Sequence, residues 1–84
     1  MHRTTKRFWK CFYELPDAVQ ATARESFQLL QAHLRHPTVQ FKKVGKFWPA
    51  RVDAEHRALA VEDEEGFVWA WIGRHDEYER LIQR

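Results

Sequence analysis

Five side chains able to do chemistry follow one another in Arg74-His75-Asp76-Glu77-Tyr78, directly after the apolar run Phe67 to Ile72 and Gly73. A histidine such as His75 can take or give a proton near neutral pH. Tyr78 can donate or orient one, and Arg74 can hold a phosphate oxygen. A second set, Lys42, Lys43, Lys46, Arg51 and Arg57, is spread over the preceding segments. Arginine grips phosphate through paired hydrogen bonds, and lysine supplies a compact charge. Together the two sets hold what cleavage of RNA by its own 2′-hydroxyl requires: removal of that proton, stabilisation of the phosphorane, and protonation of the departing 5′-oxygen. In that scheme His75 is base or acid, Arg51 and Arg57 stabilise charge, and no metal takes part. A plainer reading is also open: a terminal helix with Asp76 and Glu77 at its positive end, beside a solvated basic sheet face.

Other candidates carry less. His33 and His36 share one side of a helix end, but no cysteine or second histidine pair accompanies them as a metal ligand set. The single Cys11 excludes an internal disulfide and sits in an aromatic stretch, where a free cysteine is commonly a small buried hydrophobe. The Trp and Phe side chains could stack on bases, but a chain of 84 residues needs them for its core.

The elements that must position these groups follow from periodicity. Phe8, Phe12 and Leu15 form one stripe of a short helix within Thr4 to Leu15. Leu15-Pro16-Asp17 reads as a break and restart. Val19, Ala23, Phe27, Leu30 and Leu34 then recur at helical spacing, and the second helix is expected to end near His36, before Pro37. After Pro37 the period shortens. Val39 to Val44 reads as a strand, Gly45-Lys46 as a turn, and Phe47 to Val52 as an alternating strand that Pro49 assigns to an edge or a bulge. His56 to Val61 is a third strand, the acidic block through Gly66 a hairpin turn, and Phe67 to Ile72 a central fourth strand that breaks at Gly73. A short helix, His75 to Ile82, closes the chain. The expectation is a single α+β domain over residues 1–84: two N-terminal helices packed on an antiparallel sheet of three to four strands, with a short C-terminal helix.

Composition agrees with a globular domain, at 44% hydrophobic and 31% charged residues. The net charge is only +2, but four of the acidic residues are concentrated in Glu62 to Glu65, which leaves the rest of the surface more basic and suited to a polyanion. No apolar run approaches the roughly 18 to 20 residues that span a bilayer. The opening MHRTTKRFWK lacks the apolar core of a signal peptide, so a cytosolic protein is expected, with no membrane partner.

In this order and spacing, the segments FWKCFYELPDAVQ, FKKV, WPARVDAEHRAL and WAWIGRHDEYERL resemble the RelE/ParE superfamily of bacterial toxin–antitoxin systems. The ending is similar to that of small RelE-like proteins that close on IG-x-HDEY. The resemblance implies a compact antiparallel sheet packed on two helices. It also implies a toxin that cuts messenger RNA on the ribosome without metal or other cofactor, opposed by a cognate antitoxin. Carried onto this chain, the strand lysines match Lys42 or Lys43, the strand arginines Arg51 and Arg57, and the C-terminal acid or base His75 and Tyr78, with Arg74 as a further phosphate ligand. The ParE branch inhibits DNA gyrase instead, and a solitary member would keep the fold alone. Two departures stand out. Family members often begin with a strand, for which this chain offers Met1 to Thr4, and the Gly and Tyr usual before the hairpin arginine are replaced by Asp53, Ala54, Glu55 and His56.

Overall fold

The computed structural model describes residues 2–32 and 40–82. Leu34, Val39, the helix end expected near His36, and the His33/His36 pair fall outside them. The elements are β1 (His2–Thr4), α1 (Lys6–Tyr13), α2 (Asp17–Ala32), β2 (Phe47–Arg51), β3 (His56–Asp63), β4 (Gly66–Arg74) and α3 (His75–Ile82). The strands form one sheet in the order β1-β4-β3-β2. Among the described residues no helix is long and apolar enough to cross a membrane.

The α+β class and the helix pair agree with expectation, but the sheet is mixed. Its fourth member is β1, parallel to β4, and the segment around Phe41-Lys42-Lys43 is irregular up to a single bridge from Val44 to Phe47. Two features oppose a strand there. Gln40 takes a left-handed φ of 53°, which interrupts an extended run. Phe41 turns inward to pack on Trp48, Phe67 and Trp69, so its burial reflects one anchor rather than an alternating face. Gly45, at φ 61°, then makes the tight turn that lets Val44 and Phe47 exchange backbone hydrogen bonds of 2.8 and 3.0 Å.

β1 is short but well tied. The indole of Trp69 donates to His2 Nδ1 at 3.1 Å, the His2 ring stacks on Phe67, and Arg3 pairs with Asp63. Thr5 then caps α1: its Oγ1 accepts the Phe8 N–H and donates to the Trp69 carbonyl, both at 3.1 Å. At the second helix the Pro16 carbonyl receives the Val19 and Gln20 amides, as the break and restart require.

The sheet is covered on both faces. On one side Ala50, Ala58, Ala60, Trp69 and Ile72 meet Phe12 of α1 and Leu30 of α2. On the other, Leu59 and Trp71 meet Tyr78 of α3. Pro49 lies on β2, an edge strand of this sheet, as expected, and β4 is interior. Strand β4 does not break at Gly73; it continues through Gly73 to Arg74. The glycine is required for a packing reason, because a Cβ there would lie 2.5 Å from Cζ2 of the buried Trp71 indole. Gly73→Ala therefore overpacks this face and is expected to cost about 1 to 3 kcal/mol. Urea denaturation measures it, and a variant as stable as the parent would show that Trp71 is free to move aside.

Candidate functional site

The face shared by Leu59 and Trp71 also carries the arginines. Arg51 and Arg57 are direct partners across β2 and β3, and Gly73 stands opposite Arg57 on β4. Cross-strand partners share a face, so both half-buried guanidinium groups rise on the α3 side. Burial lowers the Arg57 pKa and the Arg51 charge pushes the same way, while Tyr78, Asp53 and Glu79 oppose the shift. An arginine remains charged through such a shift. Among the described residues no ion pair joins a carboxylate to Arg51 or Arg57.

α3 begins where β4 ends, and its first turn presents His75 and Tyr78 together, three residues apart on one face. Their ring centroids are 5.7 Å apart. Tyr78 is the buried residue of this helix and seats it on Leu59 and Trp71. Burial raises the Tyr78 pKa, the Arg57 charge works against this, and Glu79 adds to it. The phenol is therefore neutral and protonated at physiological pH. His75 is partly exposed, with Nε2 3.2 Å from Oε1 of Glu79, one helical turn on.

The turn between β2 and β3 closes the site. Asp53 Oδ1 accepts the Glu55 N–H at 2.8 Å and lies 2.9 Å from Nδ1 of the buried His56. Burial works to raise the Asp53 pKa, but the contact with His56 and the Glu55 amide outweigh it and hold the carboxyl below its usual range. Arg57 Nη1 donates to the carbonyls of Asp53 and His56 at 2.5 and 2.8 Å, and the His75 N–H donates to the Glu55 carbonyl at 2.7 Å.

Of the residues expected from sequence, Arg51, Arg57, His75 and Tyr78 are brought to one face. Arg74 is exposed beside them but lies between acids, 4.0 Å from Glu55 and 3.5 Å from Asp76. Lys42 and Lys43 are exposed on irregular chain rather than on a strand. Lys46, at the following turn, sets its ammonium 5.4 Å from the Phe47 ring centroid. Three further residues join the site without being among the candidates expected from sequence: Glu79, and Asp53 and His56, which stood out there only as departures from the family pattern. Glu79 was detectable as the i+4 neighbour of His75 in a helix. The Asp53–His56 contact depends on how the turn closes, which residue types do not reveal. A cavity of about 280 Å³ opens on the other side of the sheet, lined by Phe8, Phe12, Phe27, Leu30 and Trp69 among others. Its walls are mainly apolar; Arg51 borders it, while Arg57, His75 and Tyr78 do not.

No protein-family model matches this chain, and no curated protein matches it by sequence. Solved structures do match in shape, and they define the class: the chain has the fold of the RelE/ParE toxins. It superposes on the RelB–RelE antitoxin–toxin complex from Methanococcus jannaschii with a TM-score of 0.72 and 10% identity, over 95% of this chain and 98% of that one. The toxin–antitoxin complex RelBE2 from Mycobacterium tuberculosis gives 0.65 at 19% identity, over 89% of this chain and 96% of that one. The YoeB/ParE toxin from Agrobacterium tumefaciens gives 0.67 at 14%, over 88% and 96%. These identities establish a common fold, and the site must be argued from its own residues.

The raised pKa of Tyr78 has a direct consequence. Its folded value lies above the ordinary tyrosine value of 10.0, so the stability linked to its neutral form is complete below that value and is lost as pH rises through the folded pKa. In a Tyr13→Phe background, phenolate absorbance should report one phenol ionising above 10.0, with alkaline unfolding following it. Ionisation at or below that value would contradict the packed phenol.

Proposed function

We propose that this chain is a RelE-type toxin: a metal-independent endoribonuclease that cuts messenger RNA at the ribosome, inhibits translation, and is restrained by a cognate antitoxin. The observation that carries this reading is the meeting of two like-charged arginines with a histidine and a neutral phenol on one sheet face. Like charges directly across a strand pair cost stability, and a phosphate between them would remove that cost.

The chemistry divides among these groups. His75, whose Nε2 lies 3.2 Å from the Glu79 carboxylate, takes the 2′-hydroxyl proton as the general base. The 2′-oxygen bonds to phosphorus and the bond to the 5′-oxygen breaks, leaving a cyclic phosphate. Arg51 and Arg57 stabilise the phosphorane, and Tyr78, protonated at neutral pH, supplies or relays the proton to the leaving oxygen. Lys42, Lys43 and Lys46 bind flanking backbone, with Arg74 in a lesser part because two carboxylates already face it. The antitoxin would cover this basic face with an acidic or amphipathic segment that folds on binding. Two of the similar structures are complexes of a toxin with its antitoxin, which supports such a partner. The Agrobacterium protein is described as both YoeB and ParE, which supports a second reading as a non-catalytic inhibitor of DNA gyrase. A supercoiling assay with purified protein separates the two.

Induced expression should halt growth and create new 5′ ends inside translated messages, read by primer extension. Growth arrest without such ends would defeat the nuclease reading. His75→Ala should relieve toxicity and lower cleavage by about 10² to 10⁴-fold, the usual worth of a general acid or base. Arg57→Ala should cost about 10² to 10³-fold in kcat, as removal of one transition-state donor does.

A further inference from the structure

The turn between β2 and β3 does more than reverse the chain. It is here that the sequence departs from the Gly and Tyr usual in the family, carrying Asp53, Ala54, Glu55 and His56 instead. Glycine is not needed, because Gln40 is the one non-glycine with positive φ among the described residues, and the turn closes with ordinary backbone. What holds it is the Asp53 carboxylate, which engages both the Glu55 amide and the buried His56 ring.

Held in this way, the turn offers three carbonyls to the site residues, of which that of His56 also accepts the Val52 and Asp53 amides at 3.1 and 3.4 Å and so closes the hairpin. Those of Asp53 and His56 converge on one nitrogen of Arg57, Nη1, and engage it from the turn. The Nε–Nη2 edge, with its two parallel N–H bonds, is thereby the edge left to match a phosphate. The third carbonyl, that of Glu55, accepts the amide of His75 at 2.7 Å and so fixes the start of α3. One short turn thus sets both the charge-stabilising group and the proton-transfer group. Chain reversal alone would require neither a buried histidine nor an arginine bonded twice to main chain.

We propose that Asp53 and His56 act as a lock on this turn, aiming the Nε–Nη2 edge of Arg57 at the substrate phosphate and registering it against His75. Both are positioning residues, since they act through Arg57 and the backbone rather than on the substrate. This inference rests on the ribonuclease reading of the site.

Two readouts test it, one of them independent of activity. In the full-length protein, nuclear magnetic resonance of the Arg57 side chain should show restricted guanidinium rotation, with separate Nη proton signals. Asp53→Ala should merge those signals, whereas Asp53→Asn, which retains a side-chain oxygen acceptor, should preserve them. Cleavage of an RNA substrate should fall in parallel, by about 10 to 100-fold in kcat for Asp53→Ala with KM less affected, and recover in Asp53→Asn. Should Asp53→Ala fail to fold, His56→Gln removes the Nδ1 partner while leaving the Glu55 amide contact, and the same merging is expected. Arg57 signals unchanged in the folded variants, or an Asp53→Asn protein that behaves like Asp53→Ala, would overturn the lock. If the signals respond as expected but the wild-type chain cleaves no RNA, the ribonuclease reading fails and the Asp53–His56 restraint of Arg57 stands.

Discussion

The two-sided sheet depends on one irregularity in β4. Leu59 pairs with Trp71, but its neighbour Ala60 pairs with Trp69, so Ala70 is an extra residue without a partner on β3. Side chains two apart on a regular strand share a face, and a bulge of one residue reverses every side chain beyond it. Trp69 therefore points toward α1 and α2, and Trp71 toward α3. Without the bulge both indoles would crowd one core, and the opposite face would lack the platform on which Tyr78 seats α3. On the near side of the bulge Gly73 stands opposite Arg57, and the Trp71 ring crosses the space its absent side chain leaves.

From this constraint the two faces take different tasks. The face toward α1 and α2 carries the larger apolar cluster and the main anchors of both helices, and Cys11 packs between this cluster and the one on the far side. The face toward α3 has a smaller cluster, Leu59, Trp71 and Tyr78, and beside it the two arginines. Setting like charges opposite each other is unfavourable for folding. Conflicts of this kind between local stability and side-chain choice are characteristic of functional positions. Here the conflict is contained: Arg57 is held by two carbonyls, and the turn that supplies them is itself held by Asp53 and His56.

What could be read from the residues depended on whether the governing interactions are local. The stripe Phe8, Phe12 and Leu15, and that of Val19, Ala23, Phe27 and Leu30, state the helices directly, because helical neighbours are three and four apart in sequence. The hairpins around Asp53 and Glu64, the edge position of Pro49 and the interior position of Phe67 to Ile72 are likewise matters of short-range pattern. Phe41-Lys42-Lys43 misled for the converse reason: an inward-turned phenylalanine and two exposed lysines resemble a strand, but the left-handed Gln40 and the contacts of Phe41 with distant aromatics decide otherwise. Residue types alone thus determined the α+β class, the helix pair, the strands from Phe47 onward and the closing helix, and named Arg51, Arg57, His75 and Tyr78 as candidates. Only the tertiary structure decided that they share a face, because that depends on cross-strand register, on the extra residue at Ala70 and on a turn that ties Arg57 to the first amide of α3, none of which is encoded by spacing along the chain.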